Sequence, residues 1–104
     1  MSTMCNGARG EVAAELADRE RTLCLTLGAL AEIETGLALG SVSELPARMG
    51  GLSARDLMVV LAALLRGGGE GEFAGALNDA AIDPREAVQA VGRAFAASAA
   101  APGA

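Results

Sequence analysis

Along residues 21–37, RTLCLTLGALAEIETGL, the hydrophobic period changes in mid-segment. Leu23, Leu25 and Leu27 alternate with Thr22, Cys24 and Thr26, which predicts a strand from Arg21 to Leu27. From Gly28 on, Leu30, Ile33 and Leu37 recur at spacings of three and four. That period predicts a helix from Gly28 to Leu39, ending near Gly40. Upstream, Val12, Ala14 and Leu16 share one face of a first short strand, Glu11 to Leu16. The polar break Ala17-Asp18-Arg19-Glu20 joins the two strands as a β-hairpin. It holds no Asn-Gly or Asp-Gly pair, so the register stays open. A lone hairpin is marginal in water. Leu23, Leu25, Leu27, Leu30, Ile33 and Leu37 are therefore expected to tie the hairpin to the later helices.

Further helices follow. Ser43, Glu44 and Leu45 start a short one, with Pro46 tolerated in its first turn and Met49-Gly50-Gly51 ending it. Ser53 caps the next, with Asp56 three residues on in a variant capping box. Leu57, Val60, Leu61, Leu64 and Leu65 then make an apolar arc of roughly 140°. Arg55, Val59, Ala62 and Arg66 fall outside that arc, and Gly67-Gly68-Gly69 stops the helix. Glu70 to Ala81 read as a fourth helix, with Phe73 and Leu77 on one face and Gly75 weakening it. Asp83-Pro84-Arg85-Glu86 opens a fifth, presenting Val88, Val91 and Phe95 inward. Gly92 lies on its apolar side, where a second backbone has room to approach. The predicted fold class is α+β, an N-terminal β-hairpin packed on a small bundle of four to five helices. One domain over residues 10–97 is expected, between a flexible N-terminus (1–9) and a flexible tail (98–104).

Composition narrows the chemistry. Apolar residues make up 52% of the chain, enough to rule out disorder throughout. Phe73 and Phe95 are the only aromatic residues, so the core must come from Leu, Val, Ile, Met and Ala. The net charge is −5, and the eight basic residues, all Arg, are scattered. With neither a basic stripe nor stacking aromatics, nucleic-acid binding is not expected. The longest strongly apolar run, Leu57 to Leu65, falls far short of the ~20 residues that span a bilayer. A soluble, cytoplasmic protein is expected, and two cysteines, Cys5 and Cys24, make no disulfide framework.

Histidine is absent, which removes the commonest general base and zinc ligand. Cys24, in mid-strand opposite the leucines, reads as a small half-buried residue. The GGGEGE run at 67–72 follows a helix, lacks a Lys and carries two carboxylates, so it is no phosphate loop. Glu32/Glu34, Glu70/Glu72 and Asp79/Asp83 match no calcium loop and read as solvated charge. No catalytic, cofactor-binding or metal-ligating residue is expected. What remains is apolar surface: Leu39, Val42, Leu45, Met49, Leu52 and Met58 add to the wide arc of the third helix, and they either fill the core of the domain or meet a partner. Of these, Leu39, Val42, Leu45, Met49 and Met58 are the candidate partner-binding residues, Met being suited to adaptable contacts.

The segments RTLCLTLGALAEIE and, at 52–70, LSARDLMVVLAALLRGGGE together resemble the small tail-assembly protein of gene transfer agents and related alphaproteobacterial prophages. The resemblance covers roughly residues 9–96. It implies a non-enzymatic tail-assembly role. The expected form is a chaperone that binds the tape-measure protein and recruits subunits of the major tail-tube protein. The alternative is a structural minor component of the tail tube or its terminus. For the chaperone, the expected mechanism is groove binding, with exposed Leu and Met covering amphipathic helices of the tape measure. The resemblance names no cofactor and leaves a homo-oligomer open.

Overall fold

A computed structural model describes residues 10–100. Strand β1 (Glu11–Leu16) pairs antiparallel with β2 (Arg19–Cys24), with Leu16 opposite Arg19 and Glu11 opposite Cys24. Five α-helices follow among the described residues: α1 (Leu27–Gly36), α2 (Leu45–Met49), α3 (Ala54–Gly67), α4 (Gly71–Ala74) and α5 (Pro84–Ala100). Short 3₁₀ turns at Val42–Glu44 and Leu77–Asp79 precede α2 and follow α4. The α+β expectation, a hairpin packed on helices, is the observed fold.

The hairpin turn is tighter than the sequence suggests. Only Ala17 and Asp18 form the loop, both in the left-handed region at φ 54° and 65°. Two successive positive φ values give the hairpin twist that matches the strands. Arg19 and Glu20, expected in the break, belong to β2.

The strand also ends earlier than expected. The Thr26 N–H donates to the Cys24 carbonyl at 3.1 Å, turning the chain out of the ladder. The Thr26 hydroxyl then accepts from the Ala29 N–H at 3.0 Å and caps α1. Leu27 thus becomes the first helical residue and is 83% exposed, instead of lying on the strand's leucine face. Leu23, Ile33 and Leu37 are buried as expected, and Leu25 and Leu30 pack partly buried beside them. Cys24 is fully buried rather than half-buried.

Helix α1 stops one turn before its expected end. Ala38 takes the left-handed conformation at φ 57°, and the Leu39 N–H reaches back to the Glu34 carbonyl at 2.9 Å. That bond closes the helix in the manner of a Schellman motif, with Ala where Gly is usual.

Helix α3 is the centre of the fold, packing against α1, α4, α5 and β2. Its Ser53 cap accepts the Asp56 N–H at 3.1 Å. Val60, Leu61, Leu64 and Leu65 are buried as the arc predicts. Ala63 is buried too, and Val59, expected on the open side, packs half-buried over Gly36 of α1. A stripe fitted to one neighbour underestimates a helix surrounded by four.

The predicted fourth helix over 70–81 is broken. Only Gly71–Ala74 is α-helical, and Leu77–Asp79 is a 3₁₀ turn. Phe73 and Leu77 are nonetheless both buried, so the anchors hold without a continuous helix. Phe73 lies 3.7 Å below the Arg21 guanidinium, and the Glu70 carboxylate accepts the Thr22 N–H at 2.9 Å. Together these pin the segment to β2. Helix α5 buries Ala87, Ala90, Val91 and Ala94, while Val88, expected inward, is 57% exposed. The helix continues through Ala100, past the expected domain end at 97. Residues 1–9 and 101–104, expected as flexible ends, lie outside the described residues, as does Cys5.

Candidate functional site: an apolar groove

Helix α5 presents two apolar faces. Its small residues Ala87, Ala90 and Ala94 meet the core, and this lets α5 lie close to α3 and β1. Val88, Val91, Gly92 and Phe95 line a second face, at the helical spacings of three and four. Opposite them stand Leu45, Pro46 and Met49 of α2, with Val42 from the turn before it. Leu25 and Leu30, from the strand-to-helix junction, and Leu52 and Leu57, around the start of α3, complete the lining. The result is an open groove of about 1010 Å³.

Helix α2 is only five residues long and needs outside support to form a wall. Arg48 supplies it. One guanidinium nitrogen donates to the Leu37 carbonyl at the end of α1, at 2.8 Å. Another donates to the Asp56 carboxylate at the start of α3, at 3.0 Å. The Arg48 hydrogen bond holds the Asp56 carboxyl below the usual aspartate range. The wall is thereby tied to two helices, and its one cation points away from the groove.

Among the described residues no lining residue carries a charge, and Ser53 and Ser98 bring the only side-chain hydroxyls. The Ser53 hydroxyl is occupied as the α3 cap. A groove with these properties can bury an apolar face. Gly92 sharpens its shape, because a Cβ built there meets nothing within 4 Å. The notch leaves the α5 backbone open to close approach from the groove side. Along α5 the lining runs from Pro84 to Ser98, about 21 Å at 1.5 Å per residue. Four turns of a partner helix match that length.

The structure brings together three of the five sequence candidates. Val42 is exposed at the rim, Met49 is half-buried in the wall, and Leu45 is only 6% exposed in the floor. Met58 lies elsewhere, beside two smaller cavities of about 530 Å³ and 180 Å³ between α3 and the segment around Leu77. Leu39 packs partly buried against the core and does not line the groove. Sequence reasoning missed the α5 wall, since Val88 and Phe95 look like core positions on a helical wheel. The surplus was legible: Ala87, Ala90 and Ala94 make a second apolar stripe on the same helix, and one helix seldom buries both.

Among the described residues no cluster of His, Cys, Asp or Glu has the make-up to hold a metal ion. Among the same residues no helix is long and apolar enough to cross a membrane. The profile of one protein family, described as phage tail tube protein, GTA-gp10, matches residues 9–101. No curated protein and no solved structure matches the chain.

Proposed function

Because the chain belongs to the family of the phage tail tube protein GTA-gp10, we propose that it is a structural, non-enzymatic component of the tail tube, or of its terminus, in a gene transfer particle. The observation that carries this reading is the extent of the match. It takes in the hairpin, all five helices and both walls of the groove, so the whole described fold is the family's unit. The uncharged groove then serves as the seat for an apolar helix face of a neighbouring tail protein, with Val42, Leu45 and Met49 on one side and α5 on the other. Met58 and Leu39 contribute no contact to that seat.

A second reading, an assembly chaperone that holds the tape-measure protein, is favoured by one feature. A subunit stacked head to tail in a tube presents complementary patches on two sides. Here one groove of helical length carries a continuous apolar lining suited to a single helix. Quantitative mass spectrometry of purified particles separates the two. A fixed copy number relative to the tube subunit is the expected result. Absence from the particle, with recovery on the tape measure from producing cells, overturns the structural reading in favour of the chaperone.

The groove itself is tested with Val88→Asp. Val88 is exposed, so the variant is expected to melt like the parent and to fail to enter particles. Normal incorporation removes the groove from the interface.

A further inference from the structure

The two edges of the hairpin are not equivalent. With Ala17 and Asp18 as a two-residue loop, Leu16 and Arg19 form the first hydrogen-bonded pair of the ladder. Pairs alternate from there, so Ala14–Arg21 and Val12–Leu23 exchange backbone bonds while Glu15–Glu20 and Ala13–Thr22 do not. The N–H and C=O groups of Thr22 and Cys24 therefore point outward on the β2 side. Those of Ala13 and Glu15 point outward on the β1 side.

The β2 edge is closed. Its Thr22 N–H donates to the Glu70 carboxylate, and its Cys24 carbonyl accepts from the Thr26 N–H. Gly67 and Gly68 cover the Cys24 and Thr22 carbonyls so closely that a Cβ on either glycine would collide with them. Among the described residues, Ala13 and Glu15 leave the β1 edge unpaired. The outward N–H and C=O of Ala13 and Glu15 have no hydrogen-bond partner among the described residues.

Charge marks the same edge. Glu15 stands directly opposite Glu20 in a non-hydrogen-bonded pair, where side chains come closest, and Asp18 sits in the adjoining turn. Like charges placed this way destabilise a hairpin. The ion pairs among the described residues engage Glu70, Asp56, Glu32 and Asp83, and none reaches Glu15, Asp18 or Glu20. Among the described residues the hairpin thus carries a like-charge pair without an ion-pair partner beside unpaired backbone.

We propose that the outer edge of β1 accepts an extended, basic segment of a partner protein as a third strand, with a Lys or Arg opposite Glu15. The backbone of Ala13 and Glu15 aligns the segment by main-chain hydrogen bonds. The cation relieves the Glu15–Glu20 repulsion. A third strand also strengthens a sheet that two strands leave marginal. A basic segment complements these charges, which a second copy of this chain paired about Ala13 would not. Antiparallel self-pairing centred on Ala13 would set Glu15 of each copy against Glu11 of the other. The proposal does not depend on the groove or on its occupant.

The test is an NMR titration of the full chain with the capped peptide Thr-Lys-Val-Ala-Val-Lys-Thr. Binding is expected to shift the Ala13 and Glu15 amides and slow their hydrogen exchange. A peptide N-methylated along its strand-facing amides, which leaves the protein untouched, should bind at least about tenfold more weakly. Glu15→Gln, at an exposed position, should weaken binding about threefold and flatten its salt dependence. Any of four results overturns the proposal: no binding at millimolar peptide, equal binding of the N-methylated peptide, equal binding of a peptide with Glu in place of Lys, or protection at Val88 and Met49 instead of β1.

Discussion

Replacing Gly68 by Ala tests whether the glycine run after α3 is a steric requirement or a helix stop with slack. The backbone at Gly68 is ordinary, at φ −91°, so Ala is conformationally allowed there. A Cβ at this position would overlap the Thr22 carbonyl and stand 3.0 Å from the Leu23 nitrogen. Both obstacles are main chain, and no rotamer change relieves them. Strand β2 would have to retreat by about an ångström to restore ordinary contact. Overpacking of this kind costs about 1–3 kcal/mol. The retreat also strains the Thr22–Glu70 hydrogen bond, a charge-assisted bond of 2.9 Å worth about 1.5–3 kcal/mol at most. Reduced freedom of the unfolded chain returns about 0.4–1 kcal/mol. The net destabilisation is about 2–3 kcal/mol, a large part of the roughly 5–10 kcal/mol available to such a domain. In thermal unfolding this is a fall in Tm of roughly 10–20 °C. Urea titration of the parent, Gly68→Ala and Gly71→Ala is the assay. Gly71 has nothing within 4 Å of a built Cβ, so its variant should match or exceed the parent. A Gly68→Ala midpoint at or above the parent's, with an unchanged slope, refutes the close-approach argument and restores the flexible-stop reading.

Ala38→Gly should stabilise by about 0.5–1 kcal/mol, because it relieves the left-handed residue that closes α1; denaturant midpoints check it. Leu27→Gln should change stability by less than about 0.5 kcal/mol, while Leu23→Ala should cost about 2–5 kcal/mol. Equal losses in the two would return Leu27 to the strand face. The Arg48 bond lowers the proton affinity of Asp56 in the folded state below its unfolded value. Its contribution is therefore present above the ordinary aspartate range and is lost as pH falls through the depressed value. Asp56→Asn should accordingly flatten the acid limb of stability measured by urea titration between about pH 6 and pH 2. An acid limb as steep as the parent's would show that other carboxylates govern it.

Much of the architecture is written locally. The alternation at Val12, Ala14 and Leu16, the Ser53 cap and the Asp83-Pro84 start each depend on neighbours a few residues away. Period and capping chemistry act over that range, so the hairpin, the longer helices α1, α3 and α5 and the fold class were legible, while the broken segment 70–81 was not. So were the absence of histidine and the scarcity of aromatics, which limit the chemistry before any folding is considered. Tertiary packing decided the rest. The glycines at 67 and 68 acquired their role only when β2 crossed the end of α3. Val88 and Phe95 were turned from apparent core into groove wall because Ala87, Ala90 and Ala94 took the buried side of α5. The difference between the two hairpin edges likewise arises only because Glu70 and the glycine run reach β2 from far along the chain. A hydrophobic pattern specifies which side chains must leave water. It does not specify which neighbour covers them, since burial is non-directional and any apolar surface will serve. That choice is made by the close fit of the whole packed fold, and in this protein it shaped both the groove and the hairpin edges.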